Sequence, residues 1–391
     1  MTRVEGALSG VHILDLTDER GIYGAKLLAD LGADVIRPEP LEGDPLRHRG
    51  PHQTEAKEGN SSLWHAFFAS NRRFFAVDPT IKEGREQVSS LVDRADIVLT
   101  CSNTFALEAA NLGKASTDRP ELVVIDTSSF GPDGPWRDYL APDLVAGALG
   151  GFCATTGDVD TPPLIGFGEL NFMVSGVYVA IAALAALYRV REEGSGQRVD
   201  VSVHECIASC LEHVLMCYWY DDIMPTERVL HRRGSLHWSN AYVVMKAAKG
   251  SIMITPAPDW DKQLVWLIEE DAHEDLLDEK YTDPENLVET TKRIMEVLRK
   301  WVSTQDAEAL FDAAQARHCP YGWVLPLEYV AENPQLKARE WWVPYQAGGT
   351  EIQGPGAPYR FSETPWSMAS HGGPGEETES ILAEIGWGDA S

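Results

Sequence analysis

PPLIGFGELNFMVSGVYVAIAALAALYRVREEGSGQRVDVSVHE, residues 162–205, is the stretch whose reading decides the fold. From Phe172 to Tyr188 only Ser175 and Gly176 interrupt an apolar run, so the predicted helix has no polar face. A helix of that kind is buried on all sides or lies in a membrane. The run of 17 residues is at the short limit for a bilayer span and is carried largely by Ala, so the expectation is a central core helix and no membrane. Arg189 to Gln197 then reads as a solvated Gly/Ser turn, and Arg198–Val203 alternates as a strand entering the next helix. A group at the N-terminal end of the central helix meets free backbone N–H groups and the positive end of the dipole, a place that favours an anion.

The chain of 391 residues is long enough for two domains, and its 44% hydrophobic and 24% charged content is that of an ordinary globular protein. A balance of 33 basic against 60 acidic residues, net −27, argues against nucleic acid or an anionic membrane as partner. An anionic ligand would need a local basic pocket set against that field. Six cysteines without paired spacing suit a reducing compartment, and no basic-then-apolar leader precedes the first strand, so a cytoplasmic location is expected.

Upstream of the central helix, Val11–Leu16, Ala33–Pro38, Phe74–Asp78, Asp96–Thr100 and Leu122–Ser128 read as strands. Gly21–Leu31, Lys82–Arg94 and Thr104–Leu112 read as the helices between them. Such alternation predicts an α/β layered domain with a parallel sheet, whose ligands lie beyond the carboxyl ends of the strands. Asp15, Arg37, Cys101 and residues 128–134 fall there. Gly21 and Gly24 do not make a dinucleotide fingerprint. From Arg228 to Val324 the texture changes to a smaller α+β segment, with strands at Ala241–Lys246 and Ser251–Thr255 and helices at Lys262–Glu270 and Thr290–Val302. The domain expectation is therefore 1–227, 228–324 and a return over 325–391, with a helix stop at Asn333–Pro334.

Five blocks in order carry a resemblance over nearly the whole chain: LLADLGADVIRPEPLEGDPLR (27–47), SSFGPDGPWRDYLAPDLVAGALGG (128–151), GVYVAIAALAALYRVREEGSGQRVDVSVHE (176–205), VLPLEYVAENPQLKARE (324–340) and GPGAPYRFSETP (354–365). They resemble the family III CoA-transferases, the formyl-CoA transferase-like CaiB/BaiF group. The resemblance implies an α/β Rossmann-like large domain built from both chain ends, a smaller domain in the middle, and two chains interlocked like rings.

In that family one Asp, four residues before the glycine matched here by Gly176, attacks the donor thioester and carries the acyl group. Here the position is Phe172, and a phenyl group cannot attack a thioester. Glu169 stands three residues earlier and has two readings, a displaced acyl carrier or a charge at the helix start. The acid–base pair of the racemase branch is also missing, with Pro142 and Phe172 at its two positions.

For CoA, which the resemblance makes a substrate and not a tightly bound cofactor, the matched positions are Arg37, Arg72, Arg73, Gly131 and Trp136. Cys101–Ser102–Asn103 stands where the family carries a phosphate contact. Cys206, Cys210 and Cys217 with His204 and His213 read as a core helix and not as a metal site; none is expected. His231, Arg232, Arg233 and His237 form a basic loop, open between a ligand contact and a solvated linker.

Three functions follow from the resemblance. The first is the catalytically silent subunit of a heteromer, of the kind found in the benzylsuccinate branch that serves anaerobic toluene degradation. It would pair with an Asp-bearing paralogue, in a heterodimer or heterotetramer, that moves CoA from an acyl-CoA such as succinyl-CoA to an aromatic dicarboxylate. The second is an active homodimer using Glu169, and the third a CoA-binding or structural paralogue without turnover.

Overall fold

Short runs of Val, Ile and Leu form the middle of the sheet, because a parallel strand covered by helices on both sides exposes neither face, whereas the outer strands carry Asp, Arg and Glu as well. The computed structural model describes residues 6–54, 61–102, 104–158, 160–220, 222–223, 232, 234, 242–255, 260–347, 349–368 and 372–386, of which the side chains of Glu212 and His213 are not described. In chain order the first elements are β1 (His12–Leu16), α1 (Ile22–Asp30), β2 (Asp34–Glu39), α2 (Leu63–Phe68), β3 (Arg73–Ala76), α3 (Lys82–Arg94) and β4 (Ile97–Cys101). Then follow α4 (Leu107–Ala110), α5 (Leu112–Asp118), β5 (Val123–Ser128), α6 (Asp143–Leu149), α7 (Phe152–Thr155), α8 (Leu170–Glu193), β6 (Arg198–Ser202), α9 (Val203–Ser209) and α10 (Glu212–Trp219).

Strands β1 to β6 form a parallel six-stranded sheet in the order β3-β2-β1-β4-β5-β6, the α/β sheet that the alternation predicted. The order reverses between β1 and β4, and the crevice beyond the carboxyl ends of the strands at such a reversal is where open α/β sheets bind ligands. Helix α8 packs against α1 at a close approach: a Cβ on Gly24 would lie 2.6 Å from Val179, and one on Gly176 would lie 2.8 Å from Tyr23. Gly194, with φ of +68°, ends α8 in the left-handed conformation that glycine adopts without strain.

One expectation is corrected here. The apolar run predicts a helix buried on all sides and ending at Tyr188; α8 runs to Glu193, and the described residues cover one stripe of it. Phe172, Ser175, Gly176, Val179, Ala180, Ala183, Ala186 and Leu187 face inward, whereas Ile181 is 57% and Tyr188 67% exposed, with Val177, Tyr178 and Leu184 beside them. An apolar periodicity reports which residues avoid water and is silent on whether their cover belongs to the same chain. Among the described residues α8 is also the one helix long and apolar enough to cross a membrane; its inner stripe is committed to the protein core.

The chain divides into two compact units. The first comprises residues 1–152, 166–210 and 334–391, and holds the sheet; the second comprises 153–165 and 211–333. The expected boundary at residues 227 and 228 lies outside the described residues. The second unit contains β7 (Val243–Lys246), β8 (Ser251–Ile254), α11 (Trp260–Glu269), α12 (Leu287–Val302), α13 (Ala307–Ala316), β9 (Gly322–Trp323) and α14 (Leu327–Ala331). Its three antiparallel strands cover a core around Trp266, Leu298, Trp301 and Tyr321. The return to the first unit begins with α15 (Pro334–Ala338), where Pro334 opens a helix instead of only stopping one, and continues with the hairpin β10 (Trp342–Ala347) and β11 (Thr350–Pro355) and with α16 (Thr378–Glu384).

Candidate active site

The N-terminal end of α8 is built by three segments. Helix α6 supplies Asp143 as its first residue. Asp143 Oδ1 accepts a hydrogen bond from the Phe172 backbone N–H at 2.8 Å, and Oδ2 accepts one from Asn171 Nδ2 at 2.8 Å. A carboxylate therefore does occupy the positive end of the central helix, but it belongs to Asp143 and is used in hydrogen bonds to the scaffold. The Phe172 ring is 4% exposed, in an apolar cluster with Ala141, Ala146, Val203 and Ile207. Ser175 Oγ closes the turn by donating to the Phe172 carbonyl at 2.9 Å.

Glu169 stands at the N-cap position of α8, where its carbonyl accepts from the Met173 N–H at 2.9 Å, but its side chain does not cap the helix. Its carboxylate lies between two donors: the Arg49 guanidinium meets Oε1, and the Trp64 indole N–H donates to Oε2 at 2.8 Å. The Arg49 guanidinium also stacks over the Trp64 ring at 4.6 Å. Ser62 holds this arrangement from below, capping α2 through the His65 N–H and donating to the Arg49 carbonyl. A carboxylate paired with a guanidinium is a weakened nucleophile, because its electron density is already shared with two donors.

Arg37 lies within β2, Arg72 precedes β3 and Arg73 opens it, and all three are matched inside the chain. Arg37 is buried and reaches Asp44 at 2.6 Å and Asp15 at 3.1 Å. Burial opposes its charge, but the two carboxylates outweigh burial and hold its pKa above the ordinary value. Arg72 is fully buried beside Asp15 at 3.1 Å, donates to the Phe68 carbonyl at 2.7 Å, and is pushed down to about 10 by burial. Arg73 pairs with Asp34 at 3.1 Å and with Glu384 of α16 at 2.6 Å. The crevice between Asp15, Arg37, Asp44 and Thr104 has a volume of about 30 Å³, room for water and not for a nucleotide.

Gly131 and Trp136 lie in the loop after β5. The Gly131 N–H donates to Ser128 Oγ at 2.8 Å, and a φ of +90° there demands glycine. Trp136 stacks on Tyr139 with ring centroids 6.2 Å apart and meets His204 edge-on at 5.6 Å, both rings of the stack being partly exposed. Arg20, held by Asp18, donates to the Ser102 carbonyl at 3.3 Å; Asn103 lies outside the described residues.

The cysteines do not share one helix. The chain breaks at Cys210 and Leu211, which puts Cys206 on α9 and Cys217 on α10, and no metal-holding cluster occurs among the described residues. Arg232 donates to the Asp158 and Thr161 carbonyls, and His231, Arg233 and His237 lie outside the described residues.

Sequence reasoning missed Asp143, Arg49 and Trp64. A Pro-Asp pair ahead of an apolar run marks a helix start, which was a usable signal for Asp143. Arg49 and Trp64 had none, because their shared partner Glu169 lies more than a hundred residues away.

Comparison with known proteins places this geometry. The model of the CoA-transferase family III matches residues 8–378. The succinyl-CoA:(R)-benzylsuccinate CoA-transferase subunit BbsE of Thauera aromatica is 30% identical over 97% of this chain and 94% of its own length. The succinyl-CoA:mesaconate CoA-transferase of Haloarcula hispanica is 29% identical over 97% of this chain and 96% of its own. Among solved structures, a CaiB/BaiF family protein from Brucella suis superposes with a TM-score of 0.81 at 25% identity, over 97% of this chain and 99% of that one. A match over residues 8–378, spanning both units on a parallel six-stranded sheet, shows that the chain belongs to CoA-transferase family III.

Proposed function

We propose that this chain is the catalytically silent subunit of a heteromeric family III CoA-transferase. Its partner is an Asp-bearing paralogue that moves CoA from an acyl-CoA such as succinyl-CoA to a carboxylic acid such as an aromatic dicarboxylate. The observation that carries the reading is Phe172, a buried ring at the position where the resemblance calls for the acyl-carrying Asp, with the adjacent backbone N–H already taken by Asp143. An acyl carrier needs an oxygen lone pair free to attack a thioester carbon, and an aromatic ring has none. Glu169 is the alternative carrier, and the guanidinium and indole N–H on its two oxygens argue against that role.

The uncovered apolar face of α8 fits a second chain packed on it, in an interlocked assembly with Rossmann-like large domains, and the pair works in the cytoplasm. CoA enters as a substrate. On this chain its contacts fall to the loop of Gly131 and Trp136; Arg37 and Arg72 serve the scaffold, since each already faces carboxylates.

The test is trapping. The purified chain, alone and with the paralogue, is incubated with succinyl-CoA and borohydride or hydroxylamine, and the peptides are mapped by mass. The expected result is no adduct and no transfer from the chain alone, and an adduct on the partner's Asp in the mixture. Turnover by the chain alone, or an adduct on Glu169, overturns the proposal.

A further inference from the structure

The pair Arg49 and Trp64 has the chemistry of a carboxylate receptor. A guanidinium and an indole N–H approach the two oxygens of one carboxylate, and the guanidinium is itself fixed by stacking on the indole ring. What fills the receptor is the chain's own Glu169. That residue's side chain has no task in its own helix, because only the Glu169 carbonyl, and not the carboxylate, accepts a hydrogen bond from the first turn of α8. It follows Gly168, which has a φ of +81° and open space around the position of a Cβ, and the neighbouring Phe167 is fully exposed. The Arg49 side chain is 36% exposed and the Glu169 side chain 14%, so the receptor is reachable from solvent while its occupant plugs it.

We propose that Arg49 and Trp64 form a carboxylate-binding subsite at the start of α8, and that Glu169 is a tethered occupant which a carboxylate ligand displaces. The ligand class is the carboxylate anion, either a free dicarboxylic acid or the distal carboxylate of a dicarboxylic acyl-CoA. The reaction class of the family sets that choice, and to this extent the inference rests on the reading of the chain as a CoA-transferase subunit; the silence of Phe172 plays no part in it. A tethered carboxylate competes at high effective concentration, so the intact chain holds a free acid weakly. Neutralising the tether removes the competitor and leaves both donors in place.

The experiment is calorimetric titration of the full-length chain, with its partner if one co-purifies, using succinate, succinyl-CoA and acetyl-CoA at neutral pH. Glu169→Gln is expected to bind succinate at least tenfold more tightly than the unaltered chain. Arg49→Gln abolishes that gain when combined with Glu169→Gln, and Trp64→Phe in the same background reduces it several-fold. A gain for succinate alone assigns the free acid, and a gain for succinate and succinyl-CoA but not acetyl-CoA assigns the shared carboxylate. If Glu169→Gln melts early, Glu169→Met, similar in length and uncharged, is titrated in its place. Succinate binding that is no tighter without the Glu169 charge, or that survives Arg49→Gln in that background, overturns the subsite. No transfer is measured, so such a failure leaves the silent-subunit reading standing, whereas a Glu169 adduct in the trapping experiment undoes that reading without bearing on the titration.

Discussion

Phe172→Asp supplies the residue type that the resemblance calls for, and the structure predicts that it will not supply the chemistry. The ring it replaces is 4% exposed and packs on Ala141, Ala146, Val203 and Ile207. Losing a buried Phe to a small side chain costs about 3–5 kcal/mol. The new carboxyl would also be buried, on a residue whose own N–H is bonded to the Asp143 carboxylate. Desolvation and the like charge both push its pKa above the ordinary carboxyl range. A folded-state pKa raised above the unfolded one means that the folded protein binds the extra proton. The penalty is therefore largest at pH 8 and shrinks as pH falls toward about 4. At roughly 2–4 °C per kcal/mol the melting temperature falls on the order of 10 °C at pH 8, and by less at pH 5. Circular dichroism melts at the two pH values read the cost, and borohydride trapping with succinyl-CoA reads the chemistry. A variant that melts like the unaltered chain and carries an acyl adduct at residue 172 would refute the argument, because the side chain would then have turned out of the apolar cluster into a working site.

Three further outcomes are expected. Asp143→Ala removes the acceptor of the Phe172 N–H and the Asn171 amide together, and urea titration should show a loss of about 1–2 kcal/mol, at the upper end for a helix N-terminal acid. Arg37→Met strands the buried carboxylates of Asp15 and Asp44 and should cost about 3–5 kcal/mol in the same assay. In the unaltered chain burial raises the Asp44 pKa, but Arg37 outweighs it and holds the group below its ordinary 3.8, so this stabilisation is complete above that value and is lost as pH falls through the depressed one; acid melts between pH 5 and 2 should show the fall, and Arg37→Met should flatten it. Ile181→Asp places a charge on the apolar face of α8 that the described residues leave open; on the proposed packing of a second chain there, the freshly expressed variant should fail to assemble and sediment as single chains with an unchanged circular dichroism spectrum, whereas the unaltered chain sediments as the assembly.

The sheet was legible because each strand announces itself. His12–Leu16, Ile97–Cys101 and Val123–Ser128 are short apolar runs bounded by turn residues, and local composition suffices for them. Helix α5 was not legible: LGKASTD is polar, and it is set off from α4 by Asn111 at a φ of +43°, a conformation that composition does not reveal. The end of α8 was misplaced because the charged turn from Arg189 to Glu193 looks like a loop, and only Gly194 stops the helix. At the site, the sequence exposed Phe172 four residues before Gly176, since one position against a fixed glycine carries that information. It did not expose what Arg37, Arg72 and Arg73 do. Basic residues in or beside a strand look alike whether they wait for a phosphate or face Asp15, Asp44, Asp34 and Glu384, and those partners come from four separate parts of the chain.

On the proposed reading, the start of α8 accounts for the loss of an acyl carrier without loss of the fold. A 24-residue helix needs an acceptor at its positive end, and in a chain whose only acidic group there was the reacting one, replacing it by Phe would leave buried N–H groups bare. Here the duties are divided. Asp143 satisfies the helix from α6, the Phe172 ring fills an apolar space between α6 and α9, and the carboxylate of Glu169 is held apart by Arg49 and Trp64. With the stabilising acceptor on a different element from the reacting position, a substitution at residue 172 touches packing and chemistry but not the helix end. On the proposed reading, selection for reactivity lapses on one chain of a pair while selection for assembly continues on both, and the apolar face of α8 left open by the described residues is the surface on which the second acts.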